Sequence, residues 1–150
     1  SPSRWERRLV GSTIATIPHV DRRASDGHDL TARALPILAD LIGDADPDVQ
    51  KALAWALRSL SVVDREATVS FLQREAGTAR STDDGHRAWV VRDALEKLPP
   101  ADADALRHEV DGIRKRPGAP STSRAAATAA AFNSLGVEVP PAQRAVVDRA

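Results

Sequence analysis

Residues 46–60, Asp46-Pro47-Asp48-Val49-Gln50-Lys51-Ala52-Leu53-Ala54-Trp55-Ala56-Leu57-Arg58-Ser59-Leu60, constrain the fold more than any other stretch. Asp46 suits a helix N-cap, because its carboxylate can accept from the free amides of the first turn. Pro47 suits the first helical position, where no amide is needed. Val49, Ala52, Leu53, Ala56, Leu57 and Leu60 recur at helical spacing and share one apolar stripe. Trp55 stands about 130° from the centre of that stripe, beside Lys51 and Arg58. A helix that already has a full apolar face, and carries a tryptophan among cations elsewhere, uses that second face too. Such a tryptophan either packs against a further element or meets a ligand.

The flanking segments follow the same helical period. Ser3 to Ile17 reads as a helix opened by a Ser3/Glu6 capping box, with Leu9, Val10, Thr13, Ile14 and Ile17 inward and Pro18 as its stop. Residues 18–29 read as a polar connection with a turn at Asp26-Gly27. Asp29 can cap a helix to Ile42, with Pro36 inside it as a kink and Gly43 just past its end. Asp64 caps a helix over 65–76 that Gly77 ends, followed by a loop over 77–85. His86 to Leu98 and Asp102 to Ile113 read as further helices, separated by Pro99-Pro100. Residues 114–123 form a basic Pro/Gly/Ser-rich linker. Residues 124–150 form a C-terminal helical extension, alanine-rich over 124–135, with a short last helix after Pro140-Pro141. No segment alternates as a strand does, so the fold class is all-α.

Among 150 residues there is no cysteine, so neither a disulfide framework nor a thiolate metal site is available. No apolar run is long enough to span a bilayer. The histidines His19, His28, His86 and His108 show no metal-ligand spacing, so no metal and no cofactor is expected. There is no methionine, so Ser1 is not an encoded start; a processed N-terminus or a piece of a longer protein is expected. The 21 basic residues balance 21 acidic ones, yet their placement is uneven. Residues 1–23 hold Arg4, Arg7, Arg8, Arg22 and Arg23 against Glu6 and Asp21, a local surplus that can build a basic groove in a neutral protein. The pattern suits a cytoplasmic monomer.

Ala56-Leu57 followed by Leu60 returns as Ala94-Leu95 followed by Leu98, an offset of about 40 residues, as in helical-pair repeats. Leu35-Pro36-x-Leu38, Asp44-x-Asp46-Pro47-x-Val49, Ala52 and Ala56-Leu57 resemble a HEAT repeat. Residues 1–113 are therefore expected to form a solenoid of antiparallel helix pairs with a concave cationic face. A narrower resemblance lies over residues 4–98. Trp5-Glu6-Arg7-Arg8, Gln50-Lys51-Ala52-Leu53-Ala54-Trp55-Ala56-Leu57-Arg58 and Arg92-Asp93-Ala94-Leu95-Glu96-Lys97 are similar, in order and spacing, to motifs of the HEAT-like DNA alkylation-repair glycosylases.

That resemblance implies a DNA-repair activity on double-stranded, alkylated DNA: hydrolysis of the N-glycosidic bond of purines alkylated at N3 or N7. It matches Trp55 to a tryptophan that contacts the sugar and Arg58 to an arginine of the same face. Arg8, or else Arg7, corresponds to a DNA-contacting arginine, and Lys51 and Arg92 are further phosphate contacts. The bland readings are solvated charge for the arginines and lysine, and inter-repeat packing for Trp55 and for Trp89. There are departures. The family's aspartate lies upstream of the W-x-R-R motif, in a segment this sequence does not include, so no catalytic carboxylate is assigned and the enzyme reading depends on residues outside the chain. Ala54 stands where the motif has glycine, and Asp48-Val49 replaces an aromatic pair. Without excision, the alternative is a HEAT-type protein-interaction module.

Overall fold

The computed structural model describes residues 1–20 and 27–120. The expected features at 21–26 and 121–150, including Arg22, Arg23 and both C-terminal helices, lie outside the described residues. The described residues are all-helical: α1 Arg4–Val20, α2 Gly27–Leu41, α3 Pro47–Val63, α4 Arg65–Thr82, α5 Gly85–Ala94, a 3-10 turn Leu95–Lys97, and α6 Pro100–Glu109. Contacts run from α1 to α3 to α5 in one row and from α2 to α4 to α6 in another, and α3 and α5 touch helices of both rows.

Helix α3 is the hub. Asp46 caps it as the sequence requires, accepting from the amides of Asp48 at 2.9 Å and Val49 at 3.3 Å. Its apolar stripe is sealed: Val49, Leu53, Leu57 and Leu60 expose nothing to solvent. Gln50, Ala54, Ser59 and Ser61 are buried as well, so neighbours enclose α3 on more than one side. The core continues through Leu38 and Ile42, Phe71 and Leu72, Val90 and Val91, and Leu106. Burying side chains of this size removes them from water at about 1.5–3 kcal/mol each, and this supplies most of what holds the rows together.

The α1–α3 contact is the closest. Gly11 and Ala15 of α1 are buried, and a methyl group placed on Gly11 would lie 2.7 Å from the backbone carbon of Ala52. Small residues thus let the two helix backbones approach until only hydrogen fits between them. This rotates α1 relative to the expectation. Val10, Gly11, Ile14 and Ala15 face inward, while Leu9 is 62% exposed and Thr13 is exposed. The larger side chains suggested an inward Leu9, but the interface selects the smallest residues.

Several boundaries also differ. Pro18 lies inside α1, which runs on to Val20; the missing amide removes a hydrogen bond without ending the helix. The capping box is not made as expected, because Glu6 takes the Ser1 hydroxyl while the Ser3 amide donates to Ser1 Oγ. Asp29 sits in the first turn of α2 instead of capping it. Gly77 does not end α4, and the loop expected at 77–85 is mostly helix. Ala76 and Ala79 continue the buried face across Gly77 to Thr82. The stop is Asp83, in the left-handed region at φ 50°. Pro100, not Asp102, opens α6, in the position where proline loses nothing.

Two stability changes follow. Gly11→Ala gains about 1 kcal/mol of helix propensity. It also forces a methyl into the Ala52 backbone, so a net loss of roughly 1–2 kcal/mol is expected in chemical denaturation. Asp46→Ala removes the α3 cap and should cost about 1 kcal/mol in the same measurement.

Candidate functional site

Because α3 is enclosed on its other sides, it meets solvent mainly along one strip, Asp48, Lys51, Trp55, Arg58 and Val62, which recur at helical spacing. The Trp55 indole is 41% exposed, unlike Trp89, which is 9% exposed within the core as the inter-helix packing reading required. Beside Trp55, α3 and α1 form a groove of about 140 Å³ lined by Arg8, Ser12, Asp48, Lys51, Ala52 and Trp55. The Gly11 contact builds this groove. With Gly11 pressed on Ala52, Arg8 and Ser12 fall on the flank of α1 that borders the α3 strip. The Ser12 hydroxyl donates to the Arg8 carbonyl at 2.8 Å. Trp5, 56% exposed, stands at the head of α1 with the Arg4 guanidinium 4.6 Å and that of Arg8 5.9 Å from its ring centre. Such cation–π contacts hold guanidinium groups in place without neutralising them.

The cations of the motifs divide into two kinds. Arg7 turns inward and pairs with Asp44, Nε to Oδ2 at 2.5 Å, and also donates to the carbonyls of Ser1 at 2.8 Å and Pro2 at 3.1 Å. The hydrogen bond that Arg7 donates to Asp44 holds its guanidinium above its ordinary pKa; burial opposes this, and the charges of Asp44 and Asp46 reinforce it. Arg58 reaches across to α5. Its Nη1 donates to the Asp93 carboxylate at 2.6 Å and the Asp93 carbonyl at 2.8 Å, with Glu96 at 3.8 Å from Nε. Arg92 donates to the carbonyls of Val110 and, at 2.8 Å, Ile113, closing the turn after α6. Arg4, Arg8 and Lys51, in contrast, have no carboxylate partner among the described residues. The structure therefore brings Arg8, Lys51 and Trp55 together at one groove and places Arg7, Arg58 and Arg92 in contacts that join helices.

Residues not singled out as functional in the sequence complete the arrangement. The buried Gln50 donates from Nε2 to the Asp44 carbonyl at 2.6 Å and lies 2.9 Å from His86 Nδ1, tying α3 to its own preceding loop and to the start of α5. Since Nε2 can only donate, His86 Nδ1 accepts. Asp48 lines the groove, and its spacing from Lys51 and Trp55, one and two helical turns, was the available signal. Asp84 is a cap: its carboxylate accepts from the amides of His86 at 3.0 Å and Arg87 at 3.1 Å.

Among the described residues, no His, Cys, Asp or Glu cluster could hold a metal ion, and no helix is long and apolar enough to cross a membrane. No curated protein and no solved structure matches the chain. A family model described as DNA alkylation repair enzyme matches residues 1–98, which contain α1 to α5, the groove and all of the motif residues. That match covers well over half of the chain, which belongs to the DNA alkylation repair enzyme family.

Proposed function

We propose that this protein binds duplex DNA along the α1–α3 groove and hydrolyses the N-glycosidic bond of purines alkylated at N3 or N7. The observation that carries the reading is a half-exposed Trp55 in one groove with two cations, Arg8 and Lys51, that have no carboxylate partner among the described residues. Alkylation at N3 or N7 makes the base cationic, so it leaves as a neutral molecule and little acid help is needed. The demand on the protein is to hold the backbone and to stabilise positive charge developing on the sugar. An indole face meets an electron-poor sugar edge favourably. Arg8 and Lys51 take the flanking phosphates, releasing counterions from the duplex. In this reading Arg58, Arg7 and Arg92 act by fixing the helices that carry the groove, and Arg58 does so within one turn of Trp55. The two rows of helices, joined by short connections, support a HEAT-like solenoid as the scaffold, and in this reading Trp55 faces its inner side.

A second reading rests on a different observation. Between α1 and α2 lies a largely apolar groove of about 310 Å³ lined by Ile14, Ile17, Leu30, Ala34 and Ile37 together with the Asp29–Arg33 ion pair, with Ile37 47% exposed. A protein-interaction module would use such a surface and would leave the Trp55 groove empty.

Titration of a plain duplex at rising salt separates the two. DNA binding should weaken steeply as salt rises, and Arg8→Ala and Lys51→Ala should each lower the slope of log K against log salt by about 0.9. Binding that is absent at low salt, or indifferent to salt, would favour the interaction module. Trp55→Ala should lower release of alkylated purine by at least roughly tenfold while thermal unfolding stays near wild type, since the ring is only partly buried. Activity that falls only in step with stability would make Trp55 a packing residue.

A further inference from the structure

We infer that Asp48 is a catalytic carboxylate of the same groove, acting on the sugar and the attacking water; this rests on the excision reading above. The family resemblance assigns its acid to a segment upstream of the W-x-R-R motif, and position 48 is one where that resemblance has an aromatic residue. Of the Asp48-Val49 pair, Val49 does the packing, with no exposure, whereas Asp48 is half-buried and lines the groove with Arg8, Ser12, Lys51 and Trp55. Its backbone amide is used by the Asp46 cap, but its carboxylate has no hydrogen-bond or ion-pair partner among the described residues. The neighbouring carboxylates are committed: Asp44 to Arg7 and the Asp46 amide, Asp46 to the first amides of α3. Asp48 is therefore the acid in reach of the groove that has its oxygens to spare.

The position suits the chemistry. Asp48, Lys51 and Trp55 lie one and two turns apart on one face of α3. A sugar resting on the indole has the carboxylate at one end of that face and phosphate-binding cations beside it. As the C1′–N bond breaks, its electron pair goes to the alkylated base, which leaves uncharged, and positive charge develops on C1′ and the ring oxygen. The carboxylate stabilises that charge and accepts a proton from water as the water oxygen bonds to C1′; the proton then passes to solvent. The products are free alkylated purine and an abasic site, with no other reactant required. Paired with a cationic substrate, a carboxylate also favours alkylated over ordinary purines, which carry no charge to attract it.

The test uses the full chain and a duplex oligonucleotide carrying one N7-methylguanine, with strand cleavage at the abasic product as the rate readout and fluorescence anisotropy as the binding readout. Asp48→Asn is expected to lower single-turnover excision by a hundredfold or more, with duplex affinity equal to wild type or tighter, because a negative charge facing phosphates is removed. Asp48→Glu is expected to restore part of the rate. An Asn variant that unfolds at the wild-type temperature and excises at the wild-type rate overturns the role of Asp48 and leaves the excision reading intact. A wild-type protein that binds duplex but releases no base overturns both Asp48 and excision while DNA binding stands. One that does not bind duplex at all overturns the DNA reading itself.

Discussion

The approach of Gly11 to Ala52 sets the rest of the groove. Two helices whose contact residues carry side chains stand apart by the width of those side chains. Here the contact is between a residue with no side chain and one with a methyl group, and there is no room for a further carbon. The rotation of α1 follows from this. Once Gly11 and Ala15 are the contact, Arg7 must point toward the loop that holds Asp44, Arg8 must border the groove, and Leu9 must face away. Had Leu9 been the contact residue, Arg8 would have turned away from α3 and Trp55 would have had no basic wall opposite it.

The partition of charge follows from the same packing. A guanidinium that is half-buried between helices must be paired, because an unpaired charge there loses its hydration without return. Arg7, Arg58 and Arg87 obey this with Asp44, Asp93 and Glu75. Arg92 instead satisfies its donors on carbonyls left open at the end of α6. Arg8 and Lys51, exposed at the groove, keep access to water, so burial does not compel a partner. A formal net charge of zero conceals this: Asp44, Asp93 and Glu75 are held in interhelix pairs and Asp46 and Asp84 in helix caps, so the balance of charge differs from place to place.

Much of this was legible in the sequence where one physical rule acts alone. The α3 cap, its apolar stripe and the separate face of Trp55 all follow from a period and a cap. Reading failed where two rules competed. At Pro18 and Gly77, local stop signals lost to a buried face that carries on beyond them through Ala79 and, in α1, to the extension of the helix itself. At Leu9, hydrophobicity pointed inward but steric closeness chose glycine. The partners of Arg58 and Arg92 lie about 20–35 residues away, and no spacing rule identifies contacts at that range. Asp48 was visible as a departure from an aromatic pair, but its surroundings depend on α1, whose orientation only the Gly11 contact determines.

The motif segments then show a common construction. Each step along a helix turns the side chain by about 100°, so neighbouring residues at the edge of an interface land on opposite sides of it. Arg7 goes in and Arg8 comes out; Gln50 is sealed and Lys51 is exposed; Ala54 is buried and Trp55 meets solvent. In the first two pairs, the first member ties down the helix that presents the second. Gln50 ties the loop before α3 to α5, Arg7 ties α1 to that same loop through Asp44, and both ties converge on one residue. A groove held in this way has Arg8 on its α1 side and Trp55 on its α3 side. Arg8 and Lys51 stand without a carboxylate partner among the described residues, while Arg7 and Gln50, their immediate neighbours in sequence, are both tied to Asp44.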